Sequence, residues 1–490
     1  MISYIQDDRQ VRIDGWGQDG QEKIRKSKPL VLGSDVLSQM LLVNLAGLGV
    51  GNIMLMDNQR IGREDRSNFL YKKEYQNDIF IGNKRGKQIK KIVEKINDNI
   101  SLMYRHSKFR EAWLYDFKPS IIFDTTNNVI SKREALSYSL KYDIPFINIC
   151  ADENKAIITE FNPKDRCKKD NDLLESIILK EFCDTEQGPI PCGVIAGLAA
   201  EELRKHAINL NNKESDNPLK SGERIIYNLY SDSRVSLDSE VNSNPFSYPR
   251  DVKALLIGAG AIGNYVALNL SLIGVGKIDV LDGDVIKDHN LNRQFAFYDR
   301  IKKDKAKVLS ERIKEFNPAI KSDYFIKMLD SGDGDIFSKN NPDEKYDLVF
   351  GCVDNLEARK LINQFCVRNS IPLVDGATDA LKGQIAVYDP RKKRCLDCQF
   401  DYDYRIEQRN ERRKNWIQQN GNSCIDTTNP SVVIPNIIIG SAMVGEGLRV
   451  LYDKYKQKPL EGYFKYNSNG GERISKTMFR GYLKNCEAEK

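Results

Sequence analysis

With 490 residues, 75 basic and 69 acidic side chains and a formal charge of +6, the chain is long enough for two or three domains with full cores, and its charge is too mild and dispersed to imply nucleic acid as a partner. No run of about 18 apolar residues and no signal-like N-terminus stand out, so neither a membrane span nor secretion is expected. Ten scattered cysteines fit a reducing cytoplasm better than a disulfide framework.

In chain order, Asp8-Arg9-Gln10-Val11-Arg12 opens the sequence and Gly20-Gln21-Glu22-Lys23 follows. Pro29 to Phe69 then reappears without a gap as Ala254 to Gln294, about 225 positions later, so the chain reads as an internal duplication. Gly33 falls on Gly258, Gly49-Val50-Gly51 on Gly274-Val275-Gly276, and Asp57 on Asp282. The apolar frame is kept while polar positions change: Asp35 and Ser38 stand at Gly260 and Gly263, Gln59 at Asp284, Asp65 at Asn290, and Asn68 at Arg293. Phe182-Cys183-Asp184 precedes an apolar helical stretch, Pro189 to Leu203. From Asn209 to Arg250 the chain is polar and rich in Asn and Ser, broken by a strand-like Ile225 to Tyr230. The division expected is a first repeat at 1–215, a linker at 216–250 and a second repeat at 251–490.

The second repeat opens on a buried strand, Ala254 to Ile257, and a helix, Ala261 to Ile273. Gly258, Gly260 and Gly263 lie on the turn between them, where phosphate can approach the backbone. Such a turn alone suits any dinucleotide-binding enzyme. The strand Lys277 to Leu281 ends in Asp282-Gly283-Asp284, at the separation from which an acid reaches a ribose hydroxyl. Asn290, Arg293 and Gln294 then add polar groups that hydride transfer does not need. Attack of a carboxylate on an α-phosphorus expels pyrophosphate, and that chemistry needs cations fixed against phosphate and carboxylates that orient a metal. By the same logic Asp35 would repel ATP from the first repeat's turn.

Asp304-Lys305, Asn317-Pro318 and Gly351-Cys352-Val353-Asp354-Asn355 continue in the order of a known family. Residues 251–450 resemble the adenylating domain of the ThiF/MoeB and ubiquitin-activating enzyme superfamily. The resemblance implies an α/β fold of two Rossmann-like repeats in a pseudo-symmetric pair, the first inactive and the second active. It implies that Asp282 holds the ribose, Arg293 and Lys305 the triphosphate, and Asp284 and Asp354 the Mg²⁺. It also implies that Arg9 crosses the repeat interface to the ATP phosphates, a task suited to a guanidinium fork. A solvated N-terminal helix is the plainer place for that arginine.

Cys395-Leu396-Asp397-Cys398 has zinc-knuckle spacing, and Cys486 with Glu489 could complete a Zn²⁺ site; reduced thiols left by a decayed site are the alternative. Asp401 to Gln419, dense in charge, reads as a crossover loop above a substrate tail or as a solvated helix. Cys424, shortly before the apolar stretch Val432 to Val450, stands where the superfamily carries its acceptor cysteine. The resemblance thus implies adenylation of the C-terminal glycine of a ubiquitin-like protein, a thioester on Cys424 and transfer to a conjugating enzyme, as in bacterial antiphage operons. The alternatives are adenylation of a sulfur-carrier protein or a peptide without a lasting thioester, and a nucleotide-gated scaffold without turnover.

Overall fold

The computed structural model describes residues 7–62, 68–70, 81–165, 187–210, 213–232, 234–236, 249–329, 345–392, 394–420, 430–452, 459–470 and 472–478. Two eight-stranded sheets share one topology. The first contains β1 (Pro29–Leu32), β2 (Asn52–Met56), β3 (Ser101–Arg105), β4 (Ile121–Asp124), β5 (Phe146–Ala151), β6 (Lys155–Phe161), β7 (Arg224–Asn228) and β8 (Val235–Ser236). The second contains β9 (Lys253–Ile257), β10 (Lys277–Leu281), β11 (Tyr324–Phe325), β12 (Leu348–Gly351), β13 (Leu373–Asp379), β14 (Lys382–Tyr388), β15 (Gly462–Asn467) and β16 (Ile474–Met478).

Their orders, β3-β2-β1-β4-β5-β6-β7-β8 and β11-β10-β9-β12-β13-β14-β15-β16, superpose strand for strand. Within each sheet five strands run parallel and three antiparallel strands follow. The all-apolar cores of β1 and β9 are what a parallel strand covered on both faces requires. Strands β7 and β8 lie within 216–250, which composition marks as a linker; instead they complete the first sheet.

The junction is built from two long helices, Pro189–Ala207 and Val433–Leu451, packed on one another. By length and composition Val433–Leu451 could cross a membrane, contrary to the expectation that no such stretch exists, yet its residues 433–450 are all buried inside the protein. A helix apolar on every side needs neighbours on every side, and here sheet and helix provide them. Close approach depends on small residues: a Cβ on Gly193 would run into Ser441, and one on Gly197 into Ile438.

Buried ions cross the junction in pseudo-two-fold pairs. Arg234 of the first repeat binds both oxygens of Glu446 at 2.7 Å, and Arg473 of the second pairs with Glu202. Lys205 donates to the Ser468 carbonyl at 2.9 Å, and Arg449 to the Ser231 carbonyl at 2.9 Å. Reciprocal contacts of this kind define an isologous interface. One apolar core runs through both repeats, and Phe69 of the first sets its ring against Phe295 and Phe316 of the second.

Candidate active site

At the end of β9 the chain turns through Gly258, whose φ of +99° favours glycine. A Cβ there would also lie 2.5 Å from the carbonyl oxygen of Cys352, so the two strand ends meet backbone to backbone. Gly263 is forced by the same closeness, because a Cβ on it would strike the Gly258 carbonyl. Gly260 is different: among the described residues a Cβ there would meet nothing within 4 Å. It caps the helix Ala261–Ile273 with no side chain over the free N–H groups, which leaves an open anion-binding end.

Asp282 closes β10. Its two oxygens accept from the amides of Ala259 and Asp284, each at 2.7 Å, which locks the carboxylate beside the turn. Burial raises its pKa, and Lys305 draws it back only in part. Lys305 begins the helix Lys305–Phe316 and places Nζ 2.8 Å from Asp284 Oδ2, so the expected phosphate cation and the expected metal carboxylate are joined to each other. Asn290 is buried, its oxygen accepting from the Lys287 amide at 3.0 Å to close a short turn. Gln294 is buried as well, and its Oε1 has no hydrogen-bond partner among the described residues.

Arg293 donates Nη1 to the His289 carbonyl and to Asn292 Oδ1, both at 2.8 Å. Its pKa falls to about 10, first through burial and then through the like charge of Arg9, with Asp354 opposing. Asp354 is exposed in the loop after β12. Arg9 sits in consecutive turns over residues 7–16, not on a helix, and its carbonyl accepts from the Ser431 amide of the second repeat at 3.2 Å. Its charge also depresses the pKa of His289, after burial. Arg9 and Asp354 thus lie close enough to Arg293 to act on its charge, and Asp282, Asp284 and Lys305 are joined to one another and to the glycine turn.

The first repeat fills the same place with its own atoms. Gly33 keeps a φ of +107°, but Ser38 Oγ bonds Thr125 Oγ1 at 2.6 Å, and Asp35 stands where Gly260 leaves space. Arg85, which starts its helix as Lys305 does, binds Asp35 at 2.6 Å. A side-chain carboxylate thus occupies the cation that phosphate would claim.

Cys424, the expected acceptor, and Cys486, with Cys183 and Glu489, lie outside the described residues. Cys395 caps the short helix Leu396–Phe400, and its sulfur is 3.3 Å from that of Cys398. Two thiols on one turn fit half a zinc site; among the described residues no group of three or more His, Cys, Asp or Glu could hold a metal ion. The charged stretch after them is the helix Tyr402–Asn420. It is pinned across the helix Leu356–Arg368 by Lys360–Asp403 at 2.5 Å and Arg409–Glu357 at 3.1 Å.

Sequence reasoning missed the buried pair Arg359–Asp375 behind the Asp354 loop. Extending the self-comparison past Gln294 would have flagged it, because Lys132 and Asn148 stand at those places in the first repeat.

Regions of this chain match proteins of related chemistry. SUMO-activating enzyme subunit 2 of Dictyostelium discoideum is 32% identical over 163 residues, covering 32% of this chain and 24% of the relative. Adenylyltransferase and sulfurtransferase MOCS3 of Caenorhabditis briggsae is 36% identical over 140 residues, covering 28% and 34%. Ubiquitin-activating enzyme E1 1 of Candida albicans is 32% identical over 257 residues, covering 45% and 24%. The matches span about a quarter to a third of these relatives' lengths. The ThiF family matches twice, over residues 8–242 and 248–488. Both halves being matched, as the two superposable sheets require, this chain belongs to the ThiF family.

Proposed function

We propose that the second repeat adenylates the C-terminal carboxylate of a small ubiquitin-like or sulfur-carrier-like protein with ATP, and that Cys424 then takes the acyl group as a thioester for a conjugating enzyme. The observation that carries this reading is the convergence of Arg9 and Arg293, one from each repeat, beside the open end at Gly260. Two half-buried guanidinium groups beside an open helix N-terminus suit a polyphosphate. The relatives named as activating enzymes and adenylyltransferases support the same class of reaction.

In the first step a carboxylate oxygen forms a bond to the α-phosphorus, the bond from that phosphorus to the bridging oxygen breaks, and pyrophosphate leaves. Arg9 and Arg293 face the charge that moves onto the leaving phosphates. Asp282, locked by two amides, accepts from the ribose with its remaining lone pairs. Asp354, exposed in the loop after β12, would help hold Mg²⁺, which when bound would neutralise phosphate charge. In the second step the Cys424 thiolate bonds to the acyl carbon and AMP departs, the thiol proton passing to solvent. Cys395 and Cys398, with Cys486, are proposed to hold a structural Zn²⁺ away from this chemistry.

The test is ATP–pyrophosphate exchange with a candidate carrier, followed by Cys424→Ala. The expected variant keeps exchange within about twofold, less than the roughly 1.4 kcal/mol of a tenfold change, and forms no thiol-sensitive adduct. If the variant still delivers the acyl group to its final acceptor, the reaction is adenylation without an enzyme thioester. Wild type without exchange for any carrier ending in glycine would leave a binding scaffold.

A further inference from the structure

The loop that presents Asp354 is clamped from two sides. On one, the Cys352 carbonyl abuts Gly258 of the glycine turn. On the other stands Arg359, buried on the helix Leu356–Arg368, whose two terminal nitrogens address different groups. Nη1 goes to Asp375 on β13. Nη2 goes to the Val353 carbonyl, one residue before Asp354, and to the Gly376 carbonyl at 2.8 Å. Gly351 and Asp375 are side-by-side partners on β12 and β13, and a Cβ on Gly351 would lie 2.6 Å from Asp375 Oδ1. Glycine at 351 is thus what leaves room for the carboxylate.

The first repeat solves the same packing problem with the charges rearranged. Asp124 stands at Gly351, Lys132 at Arg359 and Asn148 at Asp375, and Asp124 and Asn148 are again side-by-side partners on their strands. Lys132 Nζ lies 3.9 Å from Asp124, both fully buried, and Lys132 also bonds Asn148. Asp124 itself accepts from the amide and the hydroxyl of Thr126, at 2.8 and 2.7 Å. The buried ion pair is therefore kept while its carboxylate has moved to the neighbouring strand. What has gone is the exposed acid: Asn127 stands where the second repeat has Asp354.

We infer that Arg359 is a positioning residue, which through the Val353 carbonyl holds Asp354 where it meets Mg²⁺-bound phosphate. The inference rests on the adenylation reading above and adds a residue to it. A fold-only role asks for a buried cation paired with a buried anion, and lysine with a relocated aspartate meets that demand, as the first repeat demonstrates. A guanidinium is required only when one group must reach Asp375 with one arm and the Val353 carbonyl with the other. An ammonium carries all its donors on one atom and lacks that fork.

The first repeat supplies the test. The triple variant Gly351→Asp/Arg359→Lys/Asp375→Asn transplants its arrangement into the second repeat, keeping the ion pair and removing the two-armed tie. Melting temperature is measured together with calorimetric binding of ATP with and without Mg²⁺. The triple variant is expected to melt within about 3 °C of wild type. It should bind Mg²⁺-free ATP within about twofold, yet bind Mg²⁺–ATP roughly 10–100-fold more weakly, as loss of an outer-shell support does. Asp354→Asn should show the same Mg²⁺-specific loss, and adding it to the triple variant should cost nothing further, because both act at one carboxylate. A triple variant that folds and binds Mg²⁺–ATP like wild type overturns the inference, as do additive losses in the combination. If the triple variant does not fold, Arg359→Lys alone is measured in the same way. Wild type that binds ATP equally with and without Mg²⁺ overturns this role for Arg359 and leaves adenylation standing; wild type that binds no ATP sinks both.

Discussion

At the two glycine turns the backbone is nearly the same and the charges that face the open helix end differ. Gly33 and Gly258 share a positive φ, and each helix that follows sends a side-chain amide back to the turn, Gln39 to the Ser34 carbonyl and Asn264 to the Ala259 carbonyl. Asp57 accepts from the Gln59 amide as Asp282 accepts from the Asp284 amide. Hydrogen bonds that a buried turn cannot forgo are therefore retained in both repeats. The positions that face open space differ: Asp35 stands at Gly260 and Asn127 at Asp354, and the cation at the helix start binds Asp35 in the first repeat but Asp284 in the second. The groups that hold the fold and the groups that face the open end are different atoms of the same turn, so one set can vary while the other is kept.

The sharpest way to break this comparison is a matched set of substitutions. Asp354→Ala and Arg293→Ala should each lower pyrophosphate exchange by about a hundredfold or more, the usual cost of removing a preorganised charge. Asp35→Lys in the first repeat should change it by less than about twofold. Exchange as sensitive to Asp35 as to Asp354 would show that the first turn is not inert.

Arg9 tests the traffic between repeats. Arg9→Ala should slow single-turnover pyrophosphate release by about a hundredfold with little change in melting temperature. Arg9→Lys should recover part of the loss, since an ammonium keeps the charge without the planar fork. A release rate for Arg9→Ala within about twofold of wild type would mean that the second repeat works without it.

The smallest effect concerns Asp57, the first repeat's counterpart of Asp282. Burial pushes its pKa up to about 6 from the model-peptide 3.8, and the Gln59 amide recovers only part. Because the folded pKa lies above the unfolded one, the folded state holds the extra proton between about pH 4 and 6, and stability falls as pH rises through that window. At pH 7 the penalty is fully present, on the order of 3 kcal/mol at its upper bound. Asp57→Asn should therefore raise the melting temperature by a few degrees at pH 7.5 and by much less at pH 4. A lower melting temperature at pH 7.5 would mean that the hydrogen bonds to the carboxylate outweigh its burial.

Much of this was legible in the sequence. Glycine spacing and apolar runs placed β9, its helix and β10 almost to the residue, since these elements are fixed by local sterics and by burial on both faces. The duplication predicted the pseudo-symmetric pair for the same reason. Other features were hidden because they depend on distant partners. Nothing local to Arg234 announces that it will be buried against Glu446, 212 positions away. The polar stretch at 216–250 reads as a linker because its strands are short, five and two residues, with the shorter one at the sheet edge. Nor could the spacing of Asp284 and Lys305 reveal that they bind each other.

The reciprocal pairs Arg234–Glu446 and Arg473–Glu202 carry a last consequence, one of assembly statistics. An interface that is the same from both sides cannot tell a live half from a dead one. Separate subunits meeting through it at random would leave about half of all assemblies as like-with-like pairs. Joining the halves in one chain makes the correct pairing intramolecular, at an effective concentration that free subunits do not reach. The junction can therefore stay symmetric while the two turns specialise, because covalent connection supplies the selectivity that the surface does not encode.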